Sequence, residues 1–147
     1  MKKIFLMIAV AALASCSTNH KTETADSTDS SEAVQQTVDR VTEITDDTAY
    51  RPGMTVQTPT IIDFNATWCG PCRAFAPIFH SAAEKFTQVK FVSVDVDKNP
   101  ATADAFGITS IPTVVFLSKD GRANRFSGLI PAEEFEKMVE KFAGENE

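Results

Sequence analysis

Two cysteines stand where the pattern of the chain changes from that of a strand to that of a helix. The motif CGPC at residues 69–72 follows the apolar run Thr60–Asn65, which predicts a buried strand. Residues 73–86 follow the motif and carry apolar side chains at helical spacing. A helix N-terminus favours a thiolate, so a C-x-x-C pair at this junction indicates redox chemistry.

The rest of the chain alternates between patterns typical of strands and of helices. Predicted strands cover residues 41–44, 60–65, 89–96, 113–117 and 123–126, and predicted helices cover residues 73–86, 99–106 and 131–142. Residues 45–58 contain Pro52 followed by Gly53 and no helical period, so we expect them to be irregular. This order predicts an α/β fold with a central mixed β-sheet and helices on both faces.

Residues 1–15 predict a signal peptide rather than a part of the fold. Lys2 and Lys3 precede a short apolar run, which ends in the sequence LASC at residues 13–16. This ending resembles the bacterial lipobox, in which the cysteine, here Cys16, becomes the lipidated first residue of the mature protein. The alternative is a plain cleaved signal or an uncleaved anchor, with Cys16 incidental. Several acyl chains on one residue hold a protein on a membrane, whereas a single chain binds marginally.

Acidic residues are concentrated in the segment that follows the signal. The chain has 147 residues and a net charge of −6. Residues 17–50 carry two basic and eight acidic side chains, whereas residues 51–147 carry ten basic and twelve acidic ones. Residues 16–38 are rich in Ser, Thr, Asp and Glu and predict a disordered tether, which leaves residues 39–147 as the folded domain. The domain is nearly neutral and has no basic stripe, so nothing indicates a nucleic-acid partner.

The chain has three cysteines, and this small number limits which metal, haem or redox sites the cysteines could form. If Cys16 carries lipid, the only thiols left are Cys69 and Cys72. A zinc site needs about four ligands, and the two histidines of the chain, one of them in the tether, do not complete such a set. Covalent haem attachment needs a histidine directly after the second cysteine, where Arg73 stands. We therefore expect neither a metal nor a cofactor.

Asp63 and the pair Ile111-Pro112 are the other unusual features of the domain. Asp63 lies in the middle of an apolar strand, where burial raises the pKa of a carboxyl group. Such a carboxyl near Cys72 would be placed to accept its proton, and an ordinary hydrogen-bonded polar residue at a strand end is the alternative. Pro112 cannot donate to a strand ladder, so it belongs at a strand start. A cis bond before it would mark a tight functional turn.

Taken together, these motifs resemble a thioredoxin, and the resemblance covers nearly the whole domain. The matching features, in the order and spacing of that family, are DF at residues 63–64, WCGPC at 68–72, Pro77, Asp97, NP at 99–100, FGI at 106–108, IPT at 111–113, Gly121 and Gly128. The resemblance implies a thioredoxin fold. It also implies that Cys69 is the attacking cysteine and Cys72 the resolving one.

The same resemblance implies roles for the surrounding residues. Asp63 would be the buried carboxylate behind Cys72, and Pro112 would be the cis-proline opposite the disulfide. The backbone of Ile111 would pair with an incoming peptide strand, which is a form of strand addition. The apolar docking surface around the cysteines would be lined by Trp68, Gly70, Pro71 and Gly128.

Two residues depart from the pattern of the family. Asn65 stands where thioredoxins usually have a tryptophan, so we expect altered packing beneath the active site. Ser93 stands where many have a lysine near the buried carboxylate. Without that cation, the pKa of Asp63 should be higher, because a nearby positive charge favours the ionised form of a carboxyl.

The expected function is thiol–disulfide exchange. The Gly-Pro pair between the cysteines resembles reducing thioredoxins, so we expect a monomeric reductase of disulfides in exported proteins. The signal and the lipobox predict a periplasm-facing protein of a Gram-negative bacterium, held by lipid on the inner or outer membrane of the cell envelope. Electrons would then come from a membrane thiol-transfer donor.

Three alternatives remain open at the level of sequence. Exported compartments are oxidising, so the pair could serve a periplasmic disulfide oxidase or isomerase. A reductase specialised for cytochrome c maturation is a second alternative, although those relatives usually carry Glu-Pro between the cysteines. A thioredoxin-fold binding module with an inert motif is the third.

Overall fold

The computed structural model describes residues 39–146, so the signal, Cys16 and the tether lie outside the described residues. The elements in chain order are β1 (Val41–Glu43), β2 (Thr60–Asn65), α1 (Gly70–Lys85), β3 (Lys90–Asp95), α2 (Pro100–Ala105), β4 (Thr113–Leu117), β5 (Ala123–Ser127) and α3 (Ala132–Gly144). Within this part of the chain, no helix has both the length and the apolar character needed to cross a membrane.

β2 lies at the centre of a five-stranded sheet whose order is β1-β3-β2-β4-β5. β1 and β2 each pair in parallel with β3, whereas β4 runs antiparallel to both β2 and β5. The mixed sheet predicted from the sequence is therefore confirmed. Asp63 is the carboxylate of β2. The strands on either side determine its surroundings, because Asp63 pairs with Ser93 on β3 and with Val114 on β4.

Helices cover both faces of this sheet, as predicted. The cluster on the face of α1 and α3 contains Ile61, Phe91, Phe116, Phe75, Phe79 and Phe135. The cluster on the face of α2 contains Ile62, Phe64, Val92, Val115, Ala103 and Phe106. Successive side chains of a strand point to opposite faces. Ile61 and Ile62 therefore enter different clusters, and β2 is buried on both sides.

α1 begins three residues earlier than the pattern predicts, at Gly70 rather than residue 73. Cys69 is the residue that caps it, and its sulfur accepts a hydrogen bond from the backbone N–H of Cys72. Pro71 fits the first turn because the N–H groups there have no intrahelical partner, so proline loses nothing by lacking one. The apolar spacing alone did not mark this start, because Gly70 and Pro71 are normally signals of a turn.

Residues 45–58 contain no helix or strand, as predicted, whereas β1 ends one residue before its predicted limit, at Glu43. The irregular segment holds α2 in place. The carboxylate of Asp47 accepts hydrogen bonds from the backbone N–H groups of Ala101 and Thr102, both at 2.9 Å. The capping residue Asn99 makes no side-chain bond to the helix it precedes. Asp47, from a distant part of the chain, therefore provides the acceptor for the free N–H groups in the first turn of α2.

Candidate active site

Cys69 and Cys72 are joined by a disulfide at the N-terminus of α1, with their Cα atoms 5.3 Å apart. The backbone N–H of Cys72 donates to the sulfur of Cys69 at 3.2 Å. A helix N-terminus carries a partial positive charge, so this position stabilises negative charge on the Cys69 sulfur when the disulfide is opened. The geometry suits Cys69 to be the thiolate of the pair.

The two cysteines are equally buried. Each has 4% of its surface exposed. They differ in their neighbours: Cys69 follows the exposed Trp68, whereas Cys72 borders a cavity that Asp63 also lines.

An exposed surface lies in front of the disulfide. Trp68 is 66% exposed, and Gly70, Pro71 and Gly128 are also exposed. The indole N–H of Trp68 donates to a carboxylate oxygen of Asp97 at 2.8 Å. Asp97 therefore fixes a large aromatic side chain at the edge of this surface. The sequence placed Asp97 in a family motif but gave no reason for its position.

The Ile111-Pro112 peptide bond is cis, and Pro112 itself is buried. The carbonyl of Pro112 accepts a hydrogen bond from the N–H of Gly128 at 2.8 Å, which ties together two predicted docking residues. Gly128 has a φ of 100°, a conformation that side chains disfavour, so glycine suits this contact. We refer to Trp68, Gly70, Pro71, Ile111, Pro112 and Gly128 as the docking surface.

Ile111 combines an apolar contact with a free backbone. Its side chain packs against the cluster formed by Ala66, Cys69 and Cys72. Among residues 39–146, the backbone N–H and C=O of Ile111 have no hydrogen-bond partner. Unpaired backbone groups beside a disulfide are what an added peptide strand would use.

Asp63 is buried behind the disulfide, with 4% of its surface exposed. Its Oδ2 atom accepts a hydrogen bond from the amide of Asn65 at 3.1 Å, while Oδ1 has no partner among the described residues. Burial raises the pKa of Asp63 to about 7, and the hydrogen bond from Asn65 opposes this rise. A carboxyl with a pKa near neutrality can both accept and release a proton at physiological pH.

The two departures from the family pattern meet at this carboxylate. The same amide of Asn65 that donates to Asp63 also donates to the hydroxyl of Ser93 at 2.9 Å. In the sequence, Asn65 and Ser93 are two separate departures from the family pattern, because they are 28 positions apart. The parallel pairing of β2 with β3 places Ser93 directly opposite Asp63, which brings the three polar groups together.

A cavity of about 180 Å³, the rear cavity, joins the resolving side of the disulfide to this polar group. Its lining includes Asp63, Asn65, Cys72, Arg73, His80 and Ser93. Cys69 does not line it, so the rear cavity serves Cys72. Within residues 39–146, no group of three or more His, Cys, Asp or Glu side chains could hold a metal ion.

Comparison with known proteins identifies the family. The sequence profile of the thioredoxin family matches residues 41–141, so the chain belongs to this family. A thioredoxin of Listeria monocytogenes is 40% identical over 104 residues, which cover 69% of this chain and 98% of that protein. A thioredoxin of Borreliella burgdorferi is 38% identical over 87 residues, which cover 58% of this chain and 74% of the relative.

Solved structures agree with this assignment. The oxidised form of mitochondrial thioredoxin 3 from Saccharomyces cerevisiae superposes with a TM-score of 0.60 and 32% sequence identity. The match covers 69% of this chain and 94% of that structure. The chain is thus a disulfide reductase of the thioredoxin type, with Cys69 and Cys72 at disulfide distance.

Proposed function

We propose that this thioredoxin reduces disulfide bonds of exported proteins, with Cys69 as nucleophile and Cys72 as resolving thiol. The observation that carries the assignment of the two cysteines is the hydrogen bond from the N–H of Cys72 to the sulfur of Cys69. It supports a thiolate at Cys69, the cysteine beside the exposed Trp68.

The proposed cycle begins with both cysteines reduced. The Cys69 thiolate attacks one sulfur of a client disulfide, and the other client sulfur leaves as a thiolate, which gives a mixed disulfide. The thiol of Cys72 gives its proton to the carboxylate of Asp63 and then attacks the Cys69 sulfur. The second client sulfur leaves and both client thiolates take up protons, one of them supplied by Asp63. Two electrons pass to the client, and Cys69 and Cys72 end as the disulfide.

The docking surface supports a client in extended conformation. A peptide strand would hydrogen-bond with the free backbone of Ile111 while its side chains contact the exposed indole of Trp68. Backbone pairing does not depend on the sequence of the client, so this mode of binding suits a reductase of many substrates.

The location is part of the proposal, and its support is the sequence of residues 1–38. We propose that Cys16 carries lipid, that the protein faces the periplasm of a Gram-negative cell, and that residues 16–38 tether the domain to the membrane. A reductase in an oxidising compartment needs a supply of electrons, so a membrane thiol-transfer protein would return Cys69 and Cys72 to the dithiol.

Two measurements test the reductase direction. The first is the reduction potential of the full chain against glutathione, with a value near that of thioredoxin, about −270 mV, expected. A value near that of strong periplasmic oxidants, about −120 mV, would overturn it and favour the oxidase, which the oxidising compartment supports. The second is reduction of insulin with dithiothreitol as electron source. A chain without insulin reductase activity would be an inert binding module.

A labelling experiment tests the location separately. Cells that express the full chain should incorporate radiolabelled palmitate into it and retain it in the membrane fraction. The Cys16→Ser variant should lose both the label and the membrane association while keeping insulin reductase activity. If the unlabelled protein is found in the soluble fraction of cells that express the full chain, the lipid anchor is wrong, while the proposed reductase activity is unaffected.

A further inference from the structure

Among residues 39–146, the carboxylate of Asp63 has one neutral hydrogen-bond donor and no cation in contact. On its own strand, the amide of Asn65 donates to Oδ2. From α1, the titratable or charged side chains that share the rear cavity are Cys72, Arg73 and His80. The neighbouring strands add only the neutral side chains that pair with Asp63, Ser93 on β3 and Val114 on β4.

The two basic side chains of the rear cavity are held by other partners. The guanidinium of Arg73 donates to the carbonyl of Thr67 at 3.0 Å. The imidazole of His80 lies 3.2 Å from a carboxylate oxygen of Asp39. Asn65 is therefore the group of this cavity that donates to the buried carboxylate.

We infer that Asn65 is a positioning residue that selects the proton-accepting oxygen of Asp63 and that Ser93 holds its amide in place. This inference rests on the proposed role of Asp63. An amide N–H on Oδ2 leaves Oδ1 as the oxygen with no partner, so the proton from Cys72 is bound at Oδ1. The hydroxyl of Ser93 accepts from the same amide at 2.9 Å, which fixes its orientation across two strands.

The same hydrogen bond decides whether Asp63 can act as an acceptor at neutral pH. Burial disfavours the charged carboxylate, and a donor to the charged form favours it. With the donor, the pKa of Asp63 is about 7, so about half of the groups are ionised at pH 7. Without the donor, the opposing effect is lost and Asp63 stays protonated over a wider range of pH.

The decisive variant is Asn65→Leu, which keeps the approximate size of the side chain and removes the donor. The pKa of Asp63 is measured by carboxyl ¹³C NMR in the oxidised full chain, where the two cysteines do not titrate. We expect a rise of about one to two pH units, which corresponds to the loss of a hydrogen bond to a charged group. Ser93→Ala should raise the pKa of Asp63 by less, because the Asn65 amide remains as a donor but its orientation is no longer fixed.

The kinetic readout is the resolving step. Stopped-flow reaction of the reduced protein with excess Ellman's reagent gives a bimolecular attack followed by an intramolecular phase, in which Cys72 displaces the second thiolate. At pH 7, Asn65→Leu should slow the intramolecular phase about five- to fiftyfold, and its pH profile should move to higher pH by the shift measured with NMR. The bimolecular phase should be unchanged.

Controls separate this inference from the proposed function. Asn124→Leu makes the same replacement at an exposed position on β5 and should leave both readouts unchanged. An Asn65→Leu protein with an unshifted pKa and pH profile would overturn the role of Asn65, whereas Asp63→Asn would still slow resolution. If Asp63→Asn does not slow resolution, both the acceptor role and this inference are wrong, and insulin reduction by the wild-type chain still tests the reductase.

Asn65→Ala provides a second variant if the leucine does not fold. It removes the same donor with a smaller side chain, and it should shift the pH profile in the same direction. A shift with Asn65→Leu but not with Asn65→Ala would indicate that the leucine acts by burying Asp63 further, and it would overturn the hydrogen-bond explanation.

Discussion

The front and the rear of the disulfide are built from different kinds of contact. In front, most of the docking surface is exposed. Its indole donates one hydrogen bond to Asp97, and the carbonyl of its cis-proline accepts one from Gly128. At the rear, Asp63 is enclosed between two strands and a helix, with one neutral donor. In the proposed function, the front decides which molecules reach Cys69, whereas the rear decides when Cys72 can lose its proton. The departures from the family, Asn65 and Ser93, both lie at the rear.

The largest effect should separate the two cysteines. Cys69→Ser should abolish insulin reduction and form no mixed disulfide, because the attacking thiolate is gone. Cys72→Ser should also abolish turnover. It should accumulate mixed disulfides through Cys69, since the first attack needs only Cys69 and the docking surface at the front. Non-reducing electrophoresis with mass spectrometry checks this. If both variants accumulate mixed disulfides equally, the assignment of attack to Cys69 and resolution to Cys72 is wrong.

The next largest effect concerns stability at the rear. The pKa of Asp63 is raised from 3.8 to about 7 in the fold, so the folded state holds this proton more tightly than the unfolded chain. The resulting stabilisation is fully present below about pH 4 and is lost as the pH rises to 7, by up to about 4 kcal/mol.

Asp63→Asn should therefore remove this pH dependence. Between pH 5 and pH 8, the variant should gain stability relative to the wild type, by about 2 to 3 kcal/mol, because its amide does not ionise. Guanidinium unfolding of the oxidised proteins at both pH values measures the difference. Asp104→Asn, at an exposed carboxyl on α2, is the matched control. The explanation fails if both variants give the same pH dependence.

A smaller effect should appear at the front. Trp68→Ala should raise the KM for insulin about 10- to 30-fold, because large aromatic side chains contribute strongly to protein contacts. The rate with Ellman's reagent, which is too small to span the docking surface, should change little. A parallel loss for both substrates would mean that Trp68 acts on Cys69 rather than on the client.

The smallest effect should come from removing the hydrogen bond between the Trp68 indole and Asp97. Asp97→Ala removes the acceptor of the Trp68 N–H, and we expect a two- to tenfold rise in the KM for insulin, about the effect of one hydrogen bond. In the Trp68→Ala background the same substitution should add nothing, which a double-mutant cycle measures. An additive loss would show that Asp97 acts independently of Trp68.

Much of the fold was predictable because each element of the sheet carries a local signal. β2 and β4 have the predicted limits, Thr60–Asn65 and Thr113–Leu117, since both are short, mostly apolar runs. The start of α1 was missed because its first two residues, Gly70 and Pro71, also occur in turns. The cap from Asp47 to α2 could not be predicted, because it joins segments that are more than fifty residues apart.

The sequence by itself determined the chemistry of this protein: a redox-active cysteine pair at a strand-to-helix junction, a carboxyl in a buried strand and a proline at the start of another. These follow from residue type and local spacing. Only the tertiary structure decided how that chemistry is tuned. Asn65 and Ser93 become partners because β2 and β3 pair in one register, and strand register depends on the packing of both faces of the sheet rather than on either segment alone.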